Sequence, residues 1–202
     1  MKTAQVFKSL IFLALTVVAL GVLFNGCSGD NPVAMSTAQV VNGKTIKFIP
    51  LVDSGSNSLA KVTTAQKWIS RSSGGTLHLH HIAYSGSPRP EVVVDLRVPA
   101  WAVDYSKNIW VTFDDADNVG EADLVFGPHG TQFSSPALLT MECKNLNLSG
   151  INPNDLKFYY VNENGQWVEQ PSHEIFVDVN SGLIRVVDAQ IPHFSRYAIG
   201  YE

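Results

Sequence analysis

Cysteine is almost missing from this chain. Two thiols, Cys27 and Cys143, occur in 202 residues, and once one of them serves another purpose no disulfide framework remains. Positive charge is sparse as well: 14 Lys and Arg stand against 18 Asp and Glu, a formal charge of −4. Nonspecific nucleic-acid binding needs a positive footprint, so nucleic acid is not an expected partner. The chain also lacks a dinucleotide fingerprint, a phosphate loop and a nucleophile elbow with acid and base partners. Gly120, Gly127 and Gly130 are turn glycines in a β context, where no helix terminus is expected for a phosphate. No cofactor is expected, and no internal repeat or low-complexity tract occurs.

What the chain does have begins at its first residues. Lys2 and Lys8 precede an apolar run over residues 10–24, and Gly26 then sets a small residue before Cys27. That order fits an export signal followed by a lipidation cysteine. The run of about 15 residues is short of the about 20 that a spanning helix needs. Cleavage before Cys27 and acylation of its side chain are therefore expected. The segments read as a lipoprotein signal peptide over residues 1–26, a flexible tether over 27–41 and a β-sandwich domain over 42–202. Losing the signal removes two lysines and no acids, leaving 12 basic and 18 acidic residues and a formal charge of −6. The lipid bilayer, reached through acylated Cys27, is then a partner, and the bacterial cell envelope the expected location. Ser28 is similar to the residue found after the cysteine in outwardly sorted bacterial lipoproteins, which implies an outer membrane where the organism has one.

The remainder is enough for one well-buried domain. Residues 41–52 have room for a strand or two, and residues 59–69 for a short helix or another strand. From Thr76 onward the period is two. Leu77, Leu79 and Ile82 mark one strand, and Val92, Val94 and Leu96 line one face of the next with Asp95 and Arg97 on the other. Further strands are expected over 109–113, 122–126, 137–143, 156–161, 174–179, 183–187 and 197–201. Turn signals such as Gly127-Pro128, Asn164-Gly165 and Ser181-Gly182 separate many of them. Many short strands at this spacing predict an all-β, mainly antiparallel β-sandwich. Cys143 alternates with Ala137, Leu139 and Met141, which predicts a buried thiol on an inward face. The dispersed tryptophans, Trp68, Trp101, Trp110 and Trp167, read as core or edge packing rather than as a ligand platform.

Ordered motifs add a resemblance. Gly74-Gly75-Thr76-Leu77, the turn from Leu96 through Val98-Pro99-Ala100-Trp101, and Phe126-Gly127-Pro128-His129-Gly130 with Phe133 and Pro136 resemble the β-sandwich domain shared by ankyrins, netrin receptors and zonula occludens proteins. The likeness covers residues 74–202 and implies a sandwich there. Read physically, these positions specify a fold: Pro99 stiffens a strand exit and Gly130 permits a restricted backbone conformation.

His193-Phe194-Ser195 is similar to the self-cleaving site of some domains of this family in death-domain scaffold proteins and of a nuclear pore protein. By that resemblance Ser195 would attack the Phe194 carbonyl while His193 removes its proton, giving an ester that water opens. Strain across the Phe194-Ser195 bond would have to assist. Bacterial surface domains similar to this one also end in His-Phe-Ser-x-Tyr without an evident use for cleavage, and a structural role for the segment is preferred.

His78 and His80 share a strand face, with His81 opposite, and would supply two metal ligands that still need a third. Asp114, Asp115, Asp117, Asn118 and Glu121 gather oxygen ligands suited to a hard cation, but not at calcium-loop spacing, so a solvated acidic loop is the preferred reading. No metal is assigned. The expected function is a noncatalytic, envelope-anchored adhesion, scaffold or assembly module with an envelope or surface protein as partner. The alternatives are self-cleavage at Phe194-Ser195 and capture of a glycan or small ligand by loops carrying Trp101 or Tyr84.

Overall fold

Alternating apolar residues need two layers to be buried on one side only, and the computed structural model shows two antiparallel sheets packed on each other. The structure describes residues 38–41, 44–49, 51, 62–83, 87–114 and 123–202. These lie within one compact unit, Met35–Glu202. In chain order the strands are β1 (Ala38–Val41), β2 (Lys44–Phe48), β3 (Val62–Ile69), β4 (Gly75–Ile82), β5 (Glu91–Val98), β6 (Lys107–Asp114) and β7 (Asp123–Gly127). They continue with the long β8 (Gln132–Lys144), then β9 (Leu156–Val161), β10 (Trp167–Glu169), β11 (Glu174–Asp178), β12 (Leu183–His193) and β13 (Arg196–Tyr201).

The first sheet runs β1-β2-β13-β7-β6-β3, with β9 also on β13 and β10 on β9. Tyr197 pairs both Leu124 and Tyr160, and Gly200 pairs both Phe48 and Lys157. β9 therefore occupies one edge of β13 while β7 and β2 share the other. The second sheet is β11-β12-β8-β5-β4. Between the sheets lies a core that includes Val92, Val94, Leu96, Val111, Phe113, Phe126, Leu139, Met141, Cys143, Ile191 and Tyr197. A second, smaller cluster of Ile46, Phe48, Tyr159, Trp167 and Ala198 covers the other side of β13 and β9. Phe48 and Trp167 meet there with ring centroids 4.6 Å apart.

The predicted faces of β4, β5 and β8 are those observed, with three corrections. His81, not Ile82, takes the third inward position of β4; strict alternation puts it inside, where its Nδ1 lies 2.9 Å from Thr63 Oγ1 and its ring 4.7 Å from Phe113. β12 does not stop at residue 187. Asp188 sits at φ 47 and the register against β8 shifts between Val186 and Ala189, so one extra residue keeps Ala189 and Ile191 inward. Of the two alternatives for residues 59–69, the strand is the one formed, as β3, held along its whole length by β6. The edge strand β1 begins at Ala38, inside the stretch read as tether, and the short β10 was not foreseen. Residues 1–37, and with them the signal, Cys27 and most of the tether, lie outside the described residues.

Candidate functional site

The chain from His193 to Ser195 joins β12 of one sheet to β13 of the other, and every element around it contributes a restraint. The Phe194 amide donates to the Thr131 carbonyl at 2.8 Å, and the Ser195 carbonyl accepts from the Phe126 amide at 3.2 Å. The Phe194 side chain is buried, stacked on Phe126 and edge-on to Phe133. Tyr197 donates its hydroxyl to the His193 carbonyl at 2.6 Å, and burial pushes that phenol's pKa upward. The Ser195 hydroxyl donates to the Val161 carbonyl of β9. The His193 ring meets the edge of Tyr160, with centroids 5.3 Å apart. No hydrogen bond joins the His193 ring to the Ser195 hydroxyl among the described residues, and neither Phe194 nor Ser195 is among the residues at positive φ.

Both His193 and Ser195 nevertheless line an open cleft of about 360 Å³ at this end of the sandwich. His129 comes from the β7–β8 connection, Gln132 from the first position of β8, Asn162 and Glu163 from the turn after β9, and Arg196 from β13. Arg196 is paired with Asp123 and lies over the Trp167 ring.

His78 and His80 do share the outer face of the second sheet, and each meets a carboxylate. His78 Nδ1 is 2.8 Å from Asp95 Oδ1, and His80 Nε2 is 2.8 Å from Glu91 Oε1. The pairing continues across the sheet. Glu91 lies 3.9 Å from Lys144, Lys144 lies 2.9 Å from Glu142, and Glu142 meets Arg185. The Lys144 ammonium, and after it the Arg185 guanidinium, hold the Glu142 carboxyl below its ordinary range. Glu142 in turn raises the pKa of Lys144. No three of His, Cys, Asp and Glu converge on a metal position among the described residues. Asp114 closes β6, its side chain outside the described residues, as are Asp115, Asp117 and Tyr84. Cys143 is buried, and desolvation, with Glu142 adding to it, pushes its thiol to about 12.

The aromatics divide differently from the expectation. Trp167 is buried, but Trp68 is 65% exposed, Trp101 59% and Tyr105 62%. Trp101 holds a left-handed backbone at φ 66, a conformation an ordinary side chain adopts only when its surroundings impose it. Its amide donates to the Arg71 carbonyl at 2.6 Å, its carbonyl accepts from Ser134 Oγ at 2.8 Å, and the Arg71 guanidinium stands 4.8 Å above its ring. Lys107 stands 4.2 Å over the nearby Tyr105 ring and pairs with Asp104.

Trp68 and Trp110 belong to the outer face of the first sheet, opposite the core residues Ile69, Ile109 and Val111. Trp110 pairs with Gly127, and a Cβ built on that glycine would lie 2.0 Å from the indole Cζ2, so the ring rests on bare backbone. His129 approaches the same ring edge-on, with centroids 6.0 Å apart. The sequence reading put Trp68 and Trp110 down to core or edge packing and did not single out His129 beyond its turn motif. The available signal was Val62, Thr64, Gln66 and Trp68, an uncharged alternation that exists only if the segment is a strand. No family model, curated protein or solved structure matches this chain.

Proposed function

We propose that this protein is a noncatalytic binding module of the bacterial cell envelope, anchored through acylated Cys27 and serving adhesion, scaffolding or assembly. The observation that carries the reading is the display of large exposed aromatics, Trp68, Trp101 and Tyr105, on a closely restrained two-sheet frame. Burying such rings in a partner removes a large apolar area from water at little conformational cost. The commitment of the Ser195 hydroxyl to Val161, with the His193 ring turned to Tyr160, supports a structural role for that segment. The ordered motifs over residues 74–202 support the finer reading, a domain of the kind shared by ankyrins, netrin receptors and zonula occludens proteins. Ser28 supports outer-membrane sorting.

Denaturing mass spectrometry of membrane-extracted protein tests anchor and integrity together. The expected species starts at Cys27, carries lipid mass and runs unbroken through Phe194-Ser195 after prolonged incubation. An unmodified peptide spanning Gly26-Cys27 in most molecules removes the anchor. A break after Phe194 that grows with time and disappears in Ser195→Ala removes the noncatalytic reading and installs self-cleavage.

A further inference from the structure

We propose that the outer face of β3, β6 and β7 is a binding track for an extended, uncharged polysaccharide, with Trp68 and Trp110 as its two stacking platforms. The inference rests on the noncatalytic binding reading and names its ligand. A pyranose ring has an apolar C–H face and a rim of hydroxyls that both donate and accept. Its complement is a flat aromatic surface beside neutral groups of both hydrogen-bonding kinds.

The face supplies both. Trp110 is seated in advance because residue 127, its cross-strand partner, is glycine: the indole lies against backbone that any side chain would have covered. Trp68 pairs with Asn108 and Gln66 pairs with Trp110, so the two indoles occupy diagonal positions on one face. Such diagonal cross-strand positions stand about 7–8 Å apart. Between them Asn108 Nδ2 donates to Gln66 Oε1 at 3.2 Å. That bond orients both amides and leaves the Gln66 Nε2 donor and the Asn108 Oδ1 acceptor for hydroxyls.

Two further observations select the ligand. The outward residues from Val62 to Trp68 on β3 and from Asn108 to Thr112 on β6 carry no charge, and the whole chain is net negative at −4. The cation next to this face, Arg196, is already paired with Asp123 of β7, so an acidic polymer would meet the chain's net negative charge without an unengaged partner there. The aromatic surfaces are two rings separated by amides, and the exposed Val62 stands apart from them at the other end of β3, so the face is not one contiguous patch of the kind a protein hot spot uses. A linear chain also fits the layout. β3 is the sheet's edge, and beyond Trp110 the His129 ring leads to the cleft lined by Gln132 and Asn162.

The test titrates the full chain with cellohexaose, xylohexaose and mannohexaose, and with polygalacturonate as the acidic counterpart, reading tryptophan fluorescence and binding heat. At least one uncharged hexaose is expected to bind with a millimolar or tighter Kd. Trp68→Ala and Gln66→Ala are each expected to weaken it about tenfold, with unchanged melting curves, while His78→Ala, on the outer face of the other sheet, leaves it as it was. Absence of binding by all three hexaoses overturns the proposal, as does undiminished binding by Trp68→Ala or equal binding of polygalacturonate. Each of those results with an intact chain removes the track alone. A chain broken after Phe194 removes the noncatalytic reading whatever the sugars do.

Discussion

The two outer faces of the sandwich follow the same alternation and carry opposite chemistry. Across β4, β5, β8 and β12 the outward side chains close on one another, from His78 with Asp95 and His80 with Glu91 through Lys144 and Glu142 to Arg185. Across β3 and β6 the outward side chains are Trp, Gln, Asn and Thr with one Val, the only charge turned out on β7 is Asp123, which is paired with Arg196, and the largest side chain, Trp68, is mostly in water. Period-two patterning decides which side chains leave the core, but it does not decide what they do outside it. A face whose charges are satisfied by neighbours has little left to offer a ligand, and its exposed ion pairs add only about 0–1 kcal/mol each. A face that leaves indole surface uncovered gives up folding stability and keeps binding energy in reserve.

If the two faces belong to one rigid frame, the turn between them should be the least tolerant position. Gly74 ends the turn from β3 of one sheet into β4 of the other, at φ 68, and a Cβ there would lie 2.2 Å from the Val98 carbonyl oxygen. The obstacle is backbone and cannot move aside. Gly74→Ala is expected to cost about 3 kcal/mol, measured by denaturant unfolding. Near-parental stability would mean that the turn adapts and that the sheets are not fixed there.

Gly127→Ala comes next and acts on the aromatic face alone. The added methyl meets the Trp110 indole rather than backbone, so the ring swings off its seat. A loss of about 2 kcal/mol is expected, together with a red shift of tryptophan emission. An unshifted spectrum would show that the ring does not depend on the glycine.

Much of this contrast was legible before the structure, though unevenly. The inward sets of β5 and β8 could be read from alternation because both strands are long and hydrophobic on one face only. The outward pair His78 and His80 followed from the same period. β12 was cut short because a single inserted residue at the bulge reverses the phase, and Asp188 then looks like a turn residue. The outward exposure of Trp68 on the edge strand is not legible in the sequence because residues 59–69 are apolar enough for either helix or strand, and only pairing with β6 decides. The seating of Trp110 on Gly127 depends on the register between β6 and β7, which neither strand's own pattern contains. Apart from the nearby Tyr197 hydroxyl, the restraints on His193-Phe194-Ser195 come from β7, β9 and the residues at the start of β8 and just before it, all distant in sequence.

On the charged face the most consequential single group is Glu142, which answers both Lys144 and Arg185. Its carboxyl titrates below the ordinary value of 4.5, held there first by Lys144 and then by Arg185. A depressed carboxyl stabilises the fold fully above that ordinary value, and the contribution is lost as pH falls through the lower folded value. Glu142→Gln is expected to cost about 1 kcal/mol at neutral pH, less at high salt, and to flatten the acid side of the stability profile. Parental and variant curves that stay parallel down to acid pH would show that the ladder is ornamental.

The smallest expected effect on stability belongs to the largest side chain on the open face. Trp68 is 65% exposed on an edge strand, and its backbone hydrogen bonds to β6 do not depend on the indole. Trp68→Ala is therefore expected to shift unfolding by less than about 0.5 kcal/mol, well below Glu142→Gln despite the far greater volume removed. Surface-to-stability reasoning would rank the two the other way, since deleting a ring usually costs more than neutralising a carboxylate. Denaturant unfolding of the two variants side by side decides the order. A loss of more than about 1 kcal/mol in Trp68→Ala would place the ring in the packed structure, and the division between a closed face and an open one would fail at its most exposed residue.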